Sequence, residues 1–186
     1  MPFGRLARCD APPRGGVGQT AHPRLTMSAP FAIWHLDPSR AAEWREIRLE
    51  ALLTEPDAYG SRYDDWRDEP LSFFAQRLTR VETWAAGDAV GMPLAVAGWE
   101  ADQRANTGWV LSVYTRPAAR GRGLMSALFD QLMARARAAG LSQMALNVGQ
   151  GNIAAQRTYA RLGFAQSAPA VPNELGVPEF EMRRPL

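Results

Sequence analysis

Hydrophobic and polar positions follow two different spacings along the chain after residue 30, and these spacings separate predicted helices from predicted strands. Apolar residues that recur every three or four positions predict amphipathic helices, because an α-helix turns once every 3.6 residues. Short β-prone runs between Gly-containing or polar turns predict strands. We therefore expect helices at 38–53, 71–80, 123–139 and 153–162. We expect strands at 31–36, 82–88, 93–101, 108–115, 143–148 and 178–186.

The ends of the predicted helices carry residues that start and stop helices. Asp37 and Pro38 supply an N-cap and a first-turn proline for the first helix. Asn152 is placed to cap the last helix, and Gly163 follows its end. Short turns join the three strands between 82 and 115, which favours an antiparallel meander.

Residues 1–26 differ from the rest of the chain, since they show no apolar period and are rich in Pro, Gly and Arg. Such a composition predicts disorder. Their four Arg and one Asp give a balance of +3, so the remainder carries −1 of the total charge of +2. We interpret 1–26 as a disordered extension or the result of a mis-assigned start codon. Neither an internal repeat nor a linker interrupts 27–186, which we interpret as one domain.

Charge and composition exclude several functional classes. A net charge of +2 gives no electrostatic signature of nucleic-acid binding, and no apolar run approaches the roughly 20 residues that span a bilayer. The single cysteine, Cys9, cannot form an intrachain disulfide and favours a cytoplasmic location. Two histidines leave little material for a His-based metal site or catalytic triad. We expect no metal, no nucleic-acid partner and no membrane contact.

The segment Arg120-Gly121-Arg122-Gly123 lies between a predicted strand and a predicted helix. A helix N-terminus offers free N–H groups and partial positive charge, and glycines allow an anion to approach the backbone closely. Taken alone, these four residues fit a solvated basic loop as well as a phosphate site. They form no P-loop, since the chain has no Lys. They form no dinucleotide fingerprint, since Ser126 stands in place of the third glycine.

A second motif, "NIAAQRTYARLGF", distinguishes these alternatives. It places Asn152, Ala155, Tyr159, Gly163 and Phe164 at the spacing N-x-x-A-x-x-x-Y-x-x-x-G-F. Together with the preceding loop, this pattern resembles the GCN5-related N-acetyltransferase (GNAT) superfamily. The order of predicted elements from residue 31 to the C-terminus is also similar to that of the family.

The resemblance implies an α/β fold of the α+β type, with a mixed, mostly antiparallel central sheet flanked by helices and a splay between two central strands. It also implies acetyl-CoA as co-substrate. The main chain of Val113, Tyr114 and Thr115 would hold the pantetheine arm like an added strand. N–H groups of the loop and the first helical turn would bind the pyrophosphate, namely those of Arg120, Gly121, Arg122, Gly123, Leu124, Met125 and Ser126. Asn152 would contact the pantetheine, and Tyr159 would face the sulfur.

The family pattern is incomplete at one position, because Met125 stands where relatives usually have Gly or Ala. A larger side chain there would either crowd the pyrophosphate or point away from it. Four residues of the second motif also have a purely structural interpretation. Asn152 is a good N-cap, Tyr159 suits a core aromatic, and Gly163 with Phe164 suits a C-cap followed by a core residue.

The implied chemistry assigns roles to few residues. A neutral amine attacks a thioester, a backbone N–H of 108–115 stabilises the charge that develops on oxygen, and the Tyr159 phenol protonates the thiolate. Many relatives place a Glu on the strand before the loop, but 108–115 contains none. Glu100 is our candidate base, acting through water, with Asp64 and Asp65 as alternatives. Cys9 lies in the predicted tail, which favours direct transfer in a ternary complex.

Three functions remain open from the sequence. The first is acetylation of a primary amine on a small molecule, by a monomer or a homodimer. The second is acetylation of a protein or peptide N-terminus, and the third is non-catalytic binding of acyl-CoA. The acidic run 63–69 suits either a cationic acceptor or a solvated face.

Overall fold

The computed structural model describes residues 31–186. The predicted extension at 1–26, including Cys9, lies outside the described residues, as does the predicted start of the domain at Met27.

Eight strands form one sheet in residues 31–186: β1 (Ala32–Leu36), β2 (Glu82–Gly87), β3 (Ala95–Asp102), β4 (Thr107–Thr115), β5 (Gln143–Gly149), β6 (Ala165–Gln166), β7 (Val171–Pro172) and β8 (Pro178–Pro185). Their order is β1-β2-β3-β4-β5-β8-β6, and β7 pairs with the first residues of β8. Among the strand pairs of the described residues, only β4–β5 is parallel, so the predicted meander and the mostly antiparallel sheet are confirmed. The sequence did not predict β6 and β7, which are too short to show a period.

The described part of the chain has four α-helices beside the sheet, and all four match predicted segments. They are α1 (Ala41–Thr54), α2 (Leu71–Arg80), α3 (Leu124–Ala138) and α4 (Ile153–Arg161). A 3-10 turn at Pro38–Arg40 precedes α1, and the Asp37 carboxylate accepts the Ser39 N–H at 2.8 Å. This turn explains why the regular helix begins three residues later than predicted. Within residues 31–186, none of the helices combines the length and apolar character needed to cross a bilayer.

The helices pack on the sheet through two apolar clusters. One joins α1 and α2 to β1, β2 and β3, with Trp44, Ile47 and Phe74 among its most buried side chains. The other joins α3 to the strands around Val110 and Met144 and also includes Tyr159 of α4. Each helix therefore buries one apolar face, and the sheet lies between the two clusters.

Strands β4 and β5 pair over only three residues, from Thr107 opposite Gln143 to Trp109 opposite Ala145. Beyond this point they separate, which confirms the predicted splay between two central strands. Ser112 adopts a left-handed φ of 55°, and the pairing of β3 with β4 shifts register between Val96 and Gly98. An irregularity of this kind bends a strand away from its neighbour.

Candidate active site

A cavity of about 860 Å³ opens where β4 and β5 separate. Its walls are 110–115 of β4 and 146–149 of β5. The loop before α3, one face of α4, and side chains from α1, α2, β8 and the segment between α1 and α2 complete the lining. The strand edges beyond Trp109 have no strand partner across the gap among the described residues, so main-chain groups are available to a ligand along this wall.

The glycine-containing loop forms one end of the cavity. Gly121 and Gly123 have φ values of 80° and 83°, a region that glycine adopts without a Cβ penalty. Gly123 is the N-cap of α3, and no side chain caps this helix. The first-turn N–H groups therefore face the cavity end without a side-chain acceptor. Met125 lines the cavity and also packs against the α3 cluster, so its side chain is partly buried.

The two arginines of the loop have different surroundings. Arg120 lines the cavity, where Nε donates to the Thr115 carbonyl at 3.2 Å and Nη2 contacts Glu55 at 2.6 Å. Arg122 does not line the cavity, because its guanidinium pairs with Asp88 in the turn between β2 and β3. The side chain of Arg122 is thus removed from the predicted ligand site, and only its main chain remains a candidate.

The predicted pantetheine wall lies inside the cavity, since Val113, Tyr114 and Thr115 all line it. The Val113 carbonyl accepts a hydrogen bond of 2.9 Å from the Tyr59 hydroxyl. Burial raises the pKa of Tyr59 well above its usual range, so this hydroxyl stays protonated and acts as a donor.

Asn152 and Tyr159 enter the cavity from α4. The Asn152 Oδ1 accepts the Ala155 N–H at 3.0 Å, so the predicted N-cap is confirmed. The Tyr159 ring is 9% exposed and packs 5.9 Å from Phe129 and 6.3 Å from Phe164, centroid to centroid. Burial raises the pKa of the Tyr159 phenol, so the hydroxyl keeps its proton at neutral pH.

Glu100 is not part of this cavity. It pairs across the sheet with Trp109, which lines the cavity, but Glu100 itself lies in a separate hollow beside His35 and Arg80. The prediction that Glu100 serves as base is therefore not supported by its position, because register places it one strand beyond the cavity wall. Asp64 and Asp65 do not line the cavity either, and Asp64 pairs with Arg67 at 3.1 Å.

Sequence reasoning missed the residues at the α1–α2 end of the cavity. These are Trp44, Arg48, Tyr59, Trp66 and Arg77. One signal was present in the sequence, since Arg48 stands four residues after Trp44 on the apolar face of α1, where a charge is unusual. Tyr59 and Trp66 come from the irregular segment between α1 and α2, which carries no period.

Two carboxylates reach the cavity, and each is held by a neighbour. Glu55 pairs with Arg120, and Glu179 of β8 accepts a hydrogen bond of 2.8 Å from the Asn173 amide. Across residues 31–186, no group of three or more His, Cys, Asp and Glu side chains is arranged to hold a metal ion.

Comparison with known proteins places this architecture among acetyltransferases. The model of the acetyltransferase (GNAT) family matches residues 37–164. An L-methionine sulfoximine/L-methionine sulfone acetyltransferase of Pseudomonas aeruginosa is 34% identical over 134 residues, which covers 64% of this chain and 77% of the relative.

Solved structures agree with this placement. A GNAT-family acetyltransferase of Streptococcus pneumoniae superposes with a TM-score of 0.70 at 19% identity, covering 84% of this chain and 99% of the other. A putative acetyltransferase of Salmonella typhimurium, solved with its cofactor acetyl-CoA, gives a TM-score of 0.63 at 25% identity and covers 84% and 94% of the two chains.

Proposed function

This chain belongs to the GNAT family of acetyltransferases, and on that premise we propose that it transfers the acetyl group of acetyl-CoA to the primary amine of a small molecule. The observation that carries the proposal is the cavity at the β4–β5 splay, which joins the glycine loop of α3 to Asn152 and Tyr159 of α4. The relative that acetylates methionine sulfoximine and methionine sulfone supports a small acceptor.

The residues present fit acetyl-CoA. The uncapped N-terminus of α3 offers N–H donors to a pyrophosphate, and no heavy atom lies within 4 Å of the Cβ position at Gly121 or Gly123. Arg120 adds a positive charge from the cavity wall. The main chain of Val113, Tyr114 and Thr115 would hold the pantetheine arm, with Asn152 opposite.

When bound, acetyl-CoA supplies a thioester carbonyl that a neutral amine can attack. The chain would stabilise the negative charge that develops on the carbonyl oxygen through a backbone N–H of the splayed β4 strand. Tyr159 would donate its phenolic proton to the leaving sulfur, and the proton that the attacking nitrogen loses would pass to solvent, from which the phenolate takes a proton back. The raised pKa of Tyr159 keeps that proton in place at neutral pH.

We assign no side chain as general base. Glu100 lies outside the cavity, and the two cavity carboxylates are engaged by Arg120 and Asn173. The acceptor would therefore enter as the free amine, and kcat/KM should rise with pH until the acceptor amine has lost its proton. We expect kcat/KM to level off at a pH that follows the pKa of each acceptor's amine. A titrating enzyme group would instead give the same pH for every acceptor.

A screen of thiol release from acetyl-CoA, run over amines, amino acids, aminoglycosides and short peptides, tests this function. We expect release with at least one small amine, and mass spectrometry should show that this amine has gained one acetyl group. Release with peptides alone would favour an N-terminal acetyltransferase. CoA binding by calorimetry without release would favour a binding module.

Direct transfer has its own test. Initial rates with both substrates varied should give intersecting double-reciprocal lines, as expected for a ternary complex, and Cys9→Ser should retain full activity. Parallel lines, together with an acetylated form of the protein, would contradict direct transfer.

A further inference from the structure

Arg48 is a buried cation in the cavity that the proposed transfer chemistry does not use. It lies on α1 one turn after Trp44, is 6% exposed, and lines the cavity at the end formed by α1 and α2. Arginine is rarely buried unless it is paired. We therefore expect the Arg48 guanidinium to have a binding partner.

Two aromatic rings fix the orientation of this guanidinium. The Arg48 Cζ lies 4.5 Å from the Tyr59 ring centroid and 4.9 Å from the Trp66 ring centroid. Tyr59 is itself tethered to the Val113 carbonyl of β4. The cation is thus held beside the strand that would carry the pantetheine arm, and its planar fork is ordered before any ligand arrives.

Three buried donor atoms at this end of the cavity have no acceptor. Arg48 Nε and Nη1 and Trp44 Nε1 are all excluded from solvent, and none forms a hydrogen bond within the described residues. Unpaired buried donors are uncommon and costly in folded proteins. Burial lowers the pKa of Arg48 to about 10, so the group remains charged at neutral pH.

The charge at this end of the cavity is positive. Arg77 of α2 also lines the cavity, with its Cζ 4.7 Å from the Trp66 ring centroid, and its charge adds to the lowering of the Arg48 pKa. No side chain in 31–186 forms an ion pair with Arg48. The acidic run 63–69 contributes only Trp66 to the lining, and its Asp64 and Asp68 pair with Arg67.

We propose that Arg48 binds a carboxylate of the acceptor, so that the acceptor is an amino acid or a similar small zwitterion rather than a cationic amine. A carboxylate would accept two hydrogen bonds from the guanidinium fork and would relieve the repulsion between Arg48 and Arg77. The tether from Tyr59 to β4 places this anchor beside the wall where the thioester would lie. This inference deepens the proposed function and rests on it.

The test compares each α-amino acid, starting with L-methionine sulfone, with its own α-carboxamide. Calorimetry in the presence of CoA should show that the wild type binds at least one acid about 10- to 100-fold more tightly than its amide, the range for losing a charge-assisted hydrogen bond. Arg48→Gln should bind acid and amide alike while its affinity for CoA is unchanged. Arg62→Gln is the control, since Arg62 is an exposed arginine in the segment that follows α1 and does not line the cavity.

Equal binding of acid and amide by the wild type would overturn the inference, and this comparison needs no variant to fold. A preference for the acid that survives Arg48→Gln would overturn it as well. Thiol release only with amines that lack a carboxylate would overturn the inference and leave the proposed function standing. If no amine gives thiol release, the proposed function is wrong. Calorimetry would still show whether carboxylate binding depends on Arg48.

Discussion

The Tyr59 hydroxyl donates a hydrogen bond of 2.9 Å to the Val113 carbonyl, which joins the irregular segment after α1 to the splayed part of β4. The contact links two parts of the cavity that are 54 residues apart in sequence. On one side of Tyr59 lies Arg48, and on the other lies the wall proposed to hold the pantetheine arm.

Tyr59→Phe removes this hydrogen bond and keeps the ring that packs on Arg48. We expect a loss of about 1 kcal/mol in the free energy of unfolding, because the partly buried Val113 carbonyl loses its donor. Urea denaturation measures this loss. Tyr63→Phe is the matched control, because Tyr63 lies in the same segment and outside the cavity lining. Equal stability of the two variants would contradict the proposed tether.

Arg120 and Arg122 lie on either side of Gly121, and their side chains point in different directions. Replacing each in turn therefore tests which side chain contributes to the phosphate site. Arg120→Gln should raise the KM for acetyl-CoA about tenfold, since a charge-assisted contact is lost from the cavity wall. Arg122→Gln should change it less than about twofold, because that guanidinium lies outside the cavity, where it pairs with Asp88. Steady-state kinetics with acetyl-CoA varied measures both values of KM. A larger increase in KM for Arg122→Gln than for Arg120→Gln would refute the assignment of Arg120 to the phosphate site.

The buried phenol of Tyr159 predicts a pH dependence of stability. Its pKa is raised in the folded protein, so above about pH 10 the unfolded chain loses a proton that the folded chain retains. Stability should therefore fall as pH rises above about 10, with a slope of at most about 1.4 kcal/mol per pH unit from this residue. Arg48, with a pKa lowered to about 10, contributes with the opposite sign above that pH.

The difference between the wild type and Tyr159→Phe isolates the contribution of the phenol. Urea unfolding from pH 8 to pH 11 should show a smaller alkaline loss of stability in the variant. Identical slopes for the two proteins would contradict a buried, protonated phenol.

Local chemistry explains what the sequence could predict. The capping role of Asn152 and the junction of strand, glycine loop and helix at 115–124 depend on neighbouring residues, and the structure has both. Most of the proposed cofactor residues belong to two short motifs. This is why the sequence could identify them, and they line one cavity in the structure.

Tertiary contacts explain what the sequence could not predict. Glu100 lies outside the cavity because the β3–β4 register decides which residues reach the cavity wall. The side chain of Arg122 turns away because Asp88, 34 residues earlier in the chain, lies beside it. Arg48 contacts Tyr59 and Trp66 through the tertiary position of the segment between α1 and α2.

The central claim is that acetyl transfer takes place in the β4–β5 cavity with Tyr159 as proton donor, and Tyr159→Phe tests it most directly. With kcat and the CoA dissociation constant measured on the same preparation, we expect kcat to fall about 100-fold while the CoA dissociation constant stays unchanged. Wild-type turnover in this variant would contradict the account.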